Sequence, residues 1–128
     1  MREPLRDRER LEHILAAIDR ITRYTSGKTY DDLLSDDMMY YAVVKNIEII
    51  GEAANMLTSN FQASHAEVPW KMVKGMRNYI VHEYFQVDDI VVWQVVKDNI
   101  PELREQIVRY ISDTDWSQWE QQDFDYSR

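Results

Sequence analysis

Cysteine is absent from this sequence, and glycine and proline are scarce, with three of each in 128 residues. The lack of cysteine excludes disulfide bonds, thiolate catalysis and cysteine-based zinc sites. The scarcity of glycine and proline removes the frequent turns that a sandwich or a barrel requires. Long helices are therefore favoured, and a hydrophobic content of 45% is enough for one buried core.

A long apolar run and an apolar leader are also missing. No stretch approaches the ~18 consecutive apolar residues of a membrane helix, and the opening MREPLRDRER is too charged for a signal peptide. We expect a cytoplasmic protein that does not enter a membrane. The net charge of -8 argues against a general electrostatic hold on nucleic acid, because the chain as a whole repels phosphate. Any RNA must be bound through a local basic patch.

Apolar residues that recur every three or four positions predict an all-α fold with four main helices and a short C-terminal helix. Gly51 lies in the second helix and leaves room for another helix to pack closely. We expect a kink or a break near Asn99, because Pro101 does not fit a regular helix interior. The predicted helices are Leu5–Tyr24, roughly 24 residues that follow an N-cap at Ser35 to Asp37, Pro69–His82, a helix capped by Asp88 and Asp89, and Pro101–Ile111.

The same spacing predicts which side chains form the core. In the first three predicted helices these are Leu11, Ile14, Leu15, Ile18 and Ile21, then Met39, Val43, Ile47, Ile50, Ala54 and Leu57, then Met72, Val73, Met76, Tyr79 and Ile80. In the last part of the chain they are Val92, Val96, Ile100, Leu103, Ile107 and Tyr110. Residues 1–111 are predicted to form this domain. Residues 112–128 form an acidic, aromatic tail whose composition fits either disorder or docking, and we expect docking.

The third predicted helix carries a polar stripe opposite its apolar face. Lys71, Lys74, Asn78 and His82 are spaced by three, four and four residues, and Arg77 flanks them. These residue types suit RNA cleavage without a metal ion. An imidazole moves protons near neutral pH, and a guanidinium binds phosphate oxygens without losing its charge. We predict that His82 and Arg77 are catalytic, that Asn78 orients the imidazole, and that Lys71 and Lys74 bind RNA.

The spacing of the two catalytic candidates constrains the site. Arg77 and His82 lie ~140° apart around a straight helix and ~7.5 Å apart along it, so one regular helix does not direct both side chains into one site. Either the helix distorts, or two copies face each other across a cleft, and we favour the homodimer. Taken singly, His82 is more often a structural histidine and Arg77 more often a surface ion-pair former.

A metal site or a bound cofactor is not predicted. The segment that begins His82-Glu83 resembles the start of the zinc-protease helix motif, but Gln86 stands where the second histidine must be. The positions of His13 and His65 do not match the spacing of metal ligands. The expected chemistry therefore requires neither a metal ion nor a cofactor.

The run from Gly75 to Phe85 resembles the signature of HepT-like HEPN toxins, in which an arginine, four residues, a histidine, one residue and a tyrosine are the defining positions. Arg77, His82 and Tyr84 match those positions. The flanking segments IIGEAA, VPW and IPEL also resemble that family, at residues 49–54, 68–70 and 100–103. The resemblance extends from about Leu5 to Ile111.

This resemblance implies an up-and-down HEPN helical bundle that dimerises and acts as a metal-independent endoribonuclease on tRNA or mRNA. It implies the toxin of a type II toxin–antitoxin system, with Arg77 and His82 catalytic. The antitoxin would be a minimal nucleotidyltransferase (MNT) that neutralises the toxin by AMPylation of Tyr84. Without this resemblance, Tyr84 would be interpreted as an aromatic residue of the core. Two alternatives stay open: a non-catalytic HEPN module that binds the nucleotidyltransferase and nucleotide or RNA, and a pair in which the nucleotidyltransferase is the toxic partner.

Overall fold

A computed structural model describes residues 6–76, 78 and 88–120, and this part of the chain is helical without any strand. The prediction of an all-α fold is therefore confirmed. The helices are α1 (Asp7–Thr25), α2 (Tyr30–Ser35), α3 (Asp37–Asn55), α4 (Ser59–Ser64), α5 (Trp70–Lys74), α6 (Asp89–Gln94) and α7 (Ile100–Asp113). A π-helical turn, Val95–Asn99, joins α6 to α7, and residues 116–120 are helical as well.

The two long helices α1 and α3 form the centre of the bundle, with α7 against α1 and α5 against α3. Both are amphipathic, and the side chains predicted for their core are buried, apart from Leu15, which is partly buried. Asp36 is the N-cap of α3, as predicted, and its carboxylate accepts a hydrogen bond from the Met39 N–H at 3.0 Å. The helix ends at Asn55, several residues earlier than predicted, because the chain turns there into α4.

Two short helices, α2 and α4, were not predicted. Thr29 and Asp32 form a reciprocal capping box at the start of α2, and these hydrogen bonds lower the pKa of the Asp32 carboxyl. Thr58 caps α4 by accepting a hydrogen bond from the Phe61 N–H at 3.1 Å. Each helix inserts one fully buried side chain into the core, Leu33 from α2 and Phe61 from α4. Six residues are too few to show the periodicity on which the sequence prediction depended.

The expected irregularity near Asn99 occurs, but the chain stays helical. Residues Val95–Asn99 form a π-helical turn, and the Ile100 N–H donates to the Val95 carbonyl. Pro101 has no N–H, and in a regular α-helix its ring would clash with the carbonyl four residues earlier. The wider turn precedes Pro101, which occupies the first turn of α7. The six core positions predicted for this part of the chain are buried.

The third predicted helix differs from the structure at its start and is interrupted at Gly75. Pro69 is the N-cap of α5 rather than a helical residue, and α5 ends at Lys74 with Gly75 as its C-cap. The backbone is helical again at Met76 and Asn78, and the Asn78 N–H donates to the Gly75 carbonyl at 2.8 Å. Glycine weakens a helix interior, which accounts for the interruption. Residues 77 and 79–87 lie outside the described residues, so the predicted helical course to His82 and the burial of Tyr79 and Ile80 stay predictions.

The segment after α7 packs against the bundle as far as it is described. Trp116 is buried and its indole N–H donates to the Ile111 carbonyl at 2.9 Å, while Trp119 is half-buried. Residues 121–128 lie outside the described residues, and the division of the chain at residue 111 stays a prediction. Within the described part, no helix combines the length and the hydropathy needed to cross a bilayer.

Candidate functional site

Of the residues predicted to act on RNA, the described part of the chain contains Lys71, Lys74 and Asn78. Arg77, His82 and Tyr84 lie outside it, so their mutual geometry stays a prediction. Lys71 and Asn78 are exposed and Lys74 is half-buried. The turn at Gly75 separates the two lysines from Asn78. The predicted stripe is therefore not one face of a continuous helix.

The two lysines carry charge that no carboxylate neutralises within the part of the chain that the structure describes. The ion pairs found there join Arg8 to Glu12, Arg104 to Asp19 and Arg109 to Glu67. Neither Lys71 nor Lys74 belongs to such a pair. On a chain with a net charge of -8, they supply a local positive potential directly before Arg77.

A buried aromatic cluster fixes the start of α5. Trp70 is 5% exposed, and its indole N–H donates to the His65 carbonyl at 2.9 Å. Its ring meets Phe61 at 6.2 Å between centroids. Phe61 also stacks on His65 at 3.8 Å, which makes this histidine part of the core packing. The cluster is completed by Tyr110, Trp116 and Trp119.

Gly51 fixes the other end of α5. A Cβ atom at this position would lie 3.3 Å from the Lys74 carbonyl oxygen and 3.6 Å from that of Val73. The close approach expected at Gly51 is thus confirmed, and the element that approaches is the C-terminal turn of α5. Three residues after Lys74 the chain reaches Arg77. The packing of α3 against α5 therefore sets the position from which the motif departs.

Met72 was predicted to face the core, and this was wrong. Its side chain is 37% exposed, whereas Val73 and Met76 are buried. Trp70 and Val73 set the buried side of α5, which turns Met72 toward a hollow of about 340 Å³ between α5 and the α6–π segment. The hollow is lined by Met72, Met76, Val91, Gln94, Val95 and Asn99. An apolar depression thus lies beside the start of the motif.

The chain is also held where it leaves the motif. Asp88 caps α6, as predicted, by accepting a hydrogen bond from the Val91 N–H at 3.2 Å. The next residue, Asp89, accepts a hydrogen bond from the Tyr40 hydroxyl. Burial and this hydrogen bond raise the pKa of Tyr40. Residues 77–87 are therefore attached to α5 at one end and to α6 at the other, and both helices are anchored to the bundle.

A second hollow, lined in part by basic side chains, was not predicted from the sequence. It has a volume of about 490 Å³ and lies between α1 and α3, with Arg10, His13 and Arg20 among its lining residues. Their spacing of three and seven residues places them on one helix face, and this was the available signal. In the described residues, no group of three or more histidine and acidic side chains is arranged to hold a metal ion.

The sequence profile of the family described as Ribonuclease HepT-like matches residues 14–110. A Caldanaerobacter subterraneus protein that bears the provisional name RNase is 38% identical over 76% of this chain and 87% of its own length. A Thermococcus cleftensis protein named probable ribonuclease HepT is 39% identical over 73% of this chain and 86% of its own.

A longer relative comes from Methanocaldococcus jannaschii and is named for a gamma-glutamylcyclotransferase and a provisionally assigned RNase. It is 40% identical over 82% of this chain, but the chain spans only 47% of that protein, about half of its length. No solved structure matches the chain.

Proposed function

The chain belongs to the HepT-like ribonuclease family, as its resemblance to that family predicted, and on this premise we propose that it is a metal-independent endoribonuclease in which Arg77 and His82 are catalytic. The observation that carries the proposal is the match of Arg77, His82 and Tyr84 to the family's motif positions, together with the unpaired charges of Lys71 and Lys74. The basic segment shortly before the motif supplies the local patch that an acidic ribonuclease needs.

The proposed reaction uses the RNA strand as its own nucleophile. The 2′-oxygen attacks the adjacent phosphorus, the bond from phosphorus to the 5′-oxygen breaks, and the products are a 2′,3′-cyclic phosphate and a 5′-hydroxyl end. The imidazole of His82 moves the proton that leaves the 2′-hydroxyl or the proton that the 5′-oxygen gains. The guanidinium of Arg77 stabilises the negative charge that accumulates on the phosphoryl oxygens. Asn78 orients the imidazole, and the two lysines hold neighbouring phosphates.

Cleavage of RNA by the pure chain in excess chelator tests this proposal. We expect wild-type cleavage to continue with EDTA, and we expect Arg77→Ala and His82→Ala each to lower its rate by about 10²-fold or more. Lys28→Ala is the matched control, because it removes an exposed charge that is far from the motif in the sequence. Unchanged cleavage in both motif variants would show that the activity resides elsewhere.

We propose further that two copies of the chain form the cleft that binds RNA. The spacing of Arg77 and His82 favours this arrangement, and the apolar hollow beside Met72 offers a surface next to the motif that a second copy could cover. Light scattering should give twice the chain mass. Mixing inactive Arg77→Ala and His82→Ala chains should restore part of the activity if one cleft uses side chains from both copies. A monomer with full activity would contradict the dimer.

The biological role that we propose is that of a cytoplasmic toxin in a type II toxin–antitoxin pair. Its antitoxin is a minimal nucleotidyltransferase that transfers AMP from ATP to the Tyr84 oxygen, with release of pyrophosphate and of the hydroxyl proton. A phosphodiester-linked nucleotide at this position would repel RNA and occupy the cleft. Incubation with the partner and ATP should add one adenylyl group to the wild-type chain and none to Tyr84→Phe. Addition to both chains would contradict Tyr84 as the acceptor.

The rival proposal is a non-catalytic module that binds the nucleotidyltransferase together with nucleotide or RNA, and it is favoured by the acidic surface of the chain. The products distinguish the two proposals. RNA that is bound but stays intact in every buffer would favour the module. Expression of each partner alone in cells would then show which of the two is toxic.

A further inference from the structure

The groove between α1 and α3 contains two arginines that take part in no ion pair with a residue that the structure describes. Arg8, Arg104 and Arg109 each pair with a carboxylate within 4 Å. Arg10 and Arg20, which line the groove, form no ion pair in the part of the chain that the structure describes. On a chain of net charge -8, the groove thus keeps two guanidinium groups outside any ion pair of the described residues, although the carboxylate of Glu52 also lines it.

Arg20 is held in place without being neutralised. Its Nε donates to the Asn46 Oδ1 at 2.7 Å. Asn46 is 5% exposed, and its own amide nitrogen donates to the Ala42 carbonyl at 2.8 Å. A buried neutral amide therefore orients the guanidinium and leaves its full charge available. This orientation lowers the entropic cost of binding an anion.

Arg10 contributes a donor without a partner. Its Nε is buried and has no hydrogen-bond partner among the described residues, and a buried donor in this state costs about 1–3 kcal/mol. Arg10 and Arg20 lie ten residues apart on one helix face, ~15 Å along the axis. They can therefore contact separate phosphates of one strand but not both grip a single phosphate. His13 lies between them and offers an additional ring nitrogen.

The groove lies on a different side of α3 from α5. Glu52, Asn55 and Met56 form its α3 wall, whereas Gly51 packs against α5. Met56 lies ~140° around the helix from Gly51, because five residues separate them. The hollow of about 490 Å³ is large enough for a nucleotide unit. Met56 is an exposed apolar side chain on which a base can rest.

From these observations we infer that the α1–α3 groove is a second RNA-binding surface, in which Arg10 and Arg20 bind two phosphates of a single strand and His13 assists between them. The inference rests on the proposed function, because a ribonuclease must hold a polyanion that its acidic surface repels. Guanidinium groups suit this role, since their planar geometry matches phosphate oxygens. The groove lies on a different side of α3 from α5, so we expect its effect to fall on long RNA rather than on short fragments.

Fluorescence anisotropy of a labelled single-stranded RNA in EDTA tests the groove, with every protein carrying His82→Ala so that cleavage plays no part. We expect the Arg10→Gln/Arg20→Gln pair to raise the Kd by roughly tenfold and to lower the slope of log Kd against log salt by about 1.4, the value for two phosphate contacts on a single strand. The Arg10→Lys/Arg20→Lys pair keeps the charge and should keep most of the slope. The matched control, Arg23→Gln/Lys28→Gln, removes the same charge outside the groove. It should leave the Kd and the salt slope near the values of the His82→Ala protein.

Three results would overturn the inference. The first is equal weakening by the groove pair and the control pair, which would indicate net charge alone. The second is unchanged RNA binding by a folded groove pair that no longer binds AMP in a calorimetric titration, which would make the groove a site for a free nucleotide. The third is that the folded groove pair binds RNA as before but no longer binds a protein partner, which would make the groove a protein-binding surface. A failure of cleavage in the unmodified chain would contradict the proposed function without altering these binding measurements.

Discussion

Asp7 is expected to be the most important buried polar group of the described fold. Its side chain is 2% exposed and accepts three hydrogen bonds: from the Thr58 N–H at 2.8 Å, from the Thr58 hydroxyl at 2.7 Å and from the Trp119 indole N–H at 3.0 Å. It therefore joins the first turn of α1 to the N-cap of α4 and to the segment after α7. The helix N-terminus also favours its negative charge.

We predict that Asp7→Ala lowers the free energy of unfolding by about 3 kcal/mol. Hydrogen bonds to a charged group contribute about 1.5–3 kcal/mol each. Thr58 and Trp119 are only half-buried, so water recovers part of the loss. For a domain of this size the change corresponds to a fall in Tm of roughly 10 °C. Urea unfolding followed by far-UV circular dichroism measures it.

A double-mutant cycle separates the network from simple truncation. Trp119→Phe keeps an aromatic ring and removes one hydrogen bond, so it should cost about 1 kcal/mol. Combined with Asp7→Ala it should add almost nothing further, because the shared bond is already lost. Glu12→Ala is the control, since its ion pair with Arg8 is exposed and 3.9 Å long, and it should cost less than about 0.5 kcal/mol. A loss below about 1 kcal/mol for Asp7→Ala, or full additivity, would refute this reasoning.

Three further predictions concern the packing of the bundle. In Gly51→Ala the new methyl group meets the Lys74 carbonyl, while the helix gains about 1 kcal/mol of propensity. The midpoint of urea unfolding should therefore change little, and RNA cleavage should fall several-fold. Equal cleavage by wild type and Gly51→Ala would contradict this prediction. The pKa of Tyr40 is higher in the folded than in the unfolded chain. Its contribution to folding stability is therefore fully present below about pH 10 and is lost as the pH rises toward the pKa of the folded state. Tyr40→Phe should therefore lose less stability than wild type between pH 9 and pH 11, and parallel urea midpoints would show that the hydrogen bond to Asp89 has no such role. Phe61→Ala should cost about 3–5 kcal/mol in urea unfolding, because its fully buried ring centres the aromatic cluster, whereas a loss near 1 kcal/mol would mean that the cavity collapses.

The sequence predicted the long helices well because periodicity is a strong signal over many turns. The core positions named in α1, in α3 and from Val92 to Tyr110 are buried, with Leu15 partly so. The errors lie where local chemistry and packing compete. Gly75 interrupts the third predicted helix, and Met72 faces a surface hollow because Trp70 and Val73 determine the buried side.

The candidate site, like the fold, was predicted only in part. Its residue types, Arg77, His82 and Tyr84, were read from the order of the sequence and from a family resemblance, and the family is now established. The basic groove was not predicted, because Arg10 and Arg20 resemble ordinary surface charges in the sequence. Their lack of carboxylate partners and the hydrogen bond to Asn46 appear only when α1 lies against α3.

The sequence by itself determined the helical class, the buried faces of the long helices and the residue types of the motif. These properties depend on residue identity and on spacing along one chain. Only the tertiary structure decided that α5 ends where its carbonyls meet Gly51, that Asp7 joins three distant segments and that two arginines outside any ion pair of the described chain share a groove. These features depend on which faces of different helices come into contact, and neighbours in space are not neighbours in sequence.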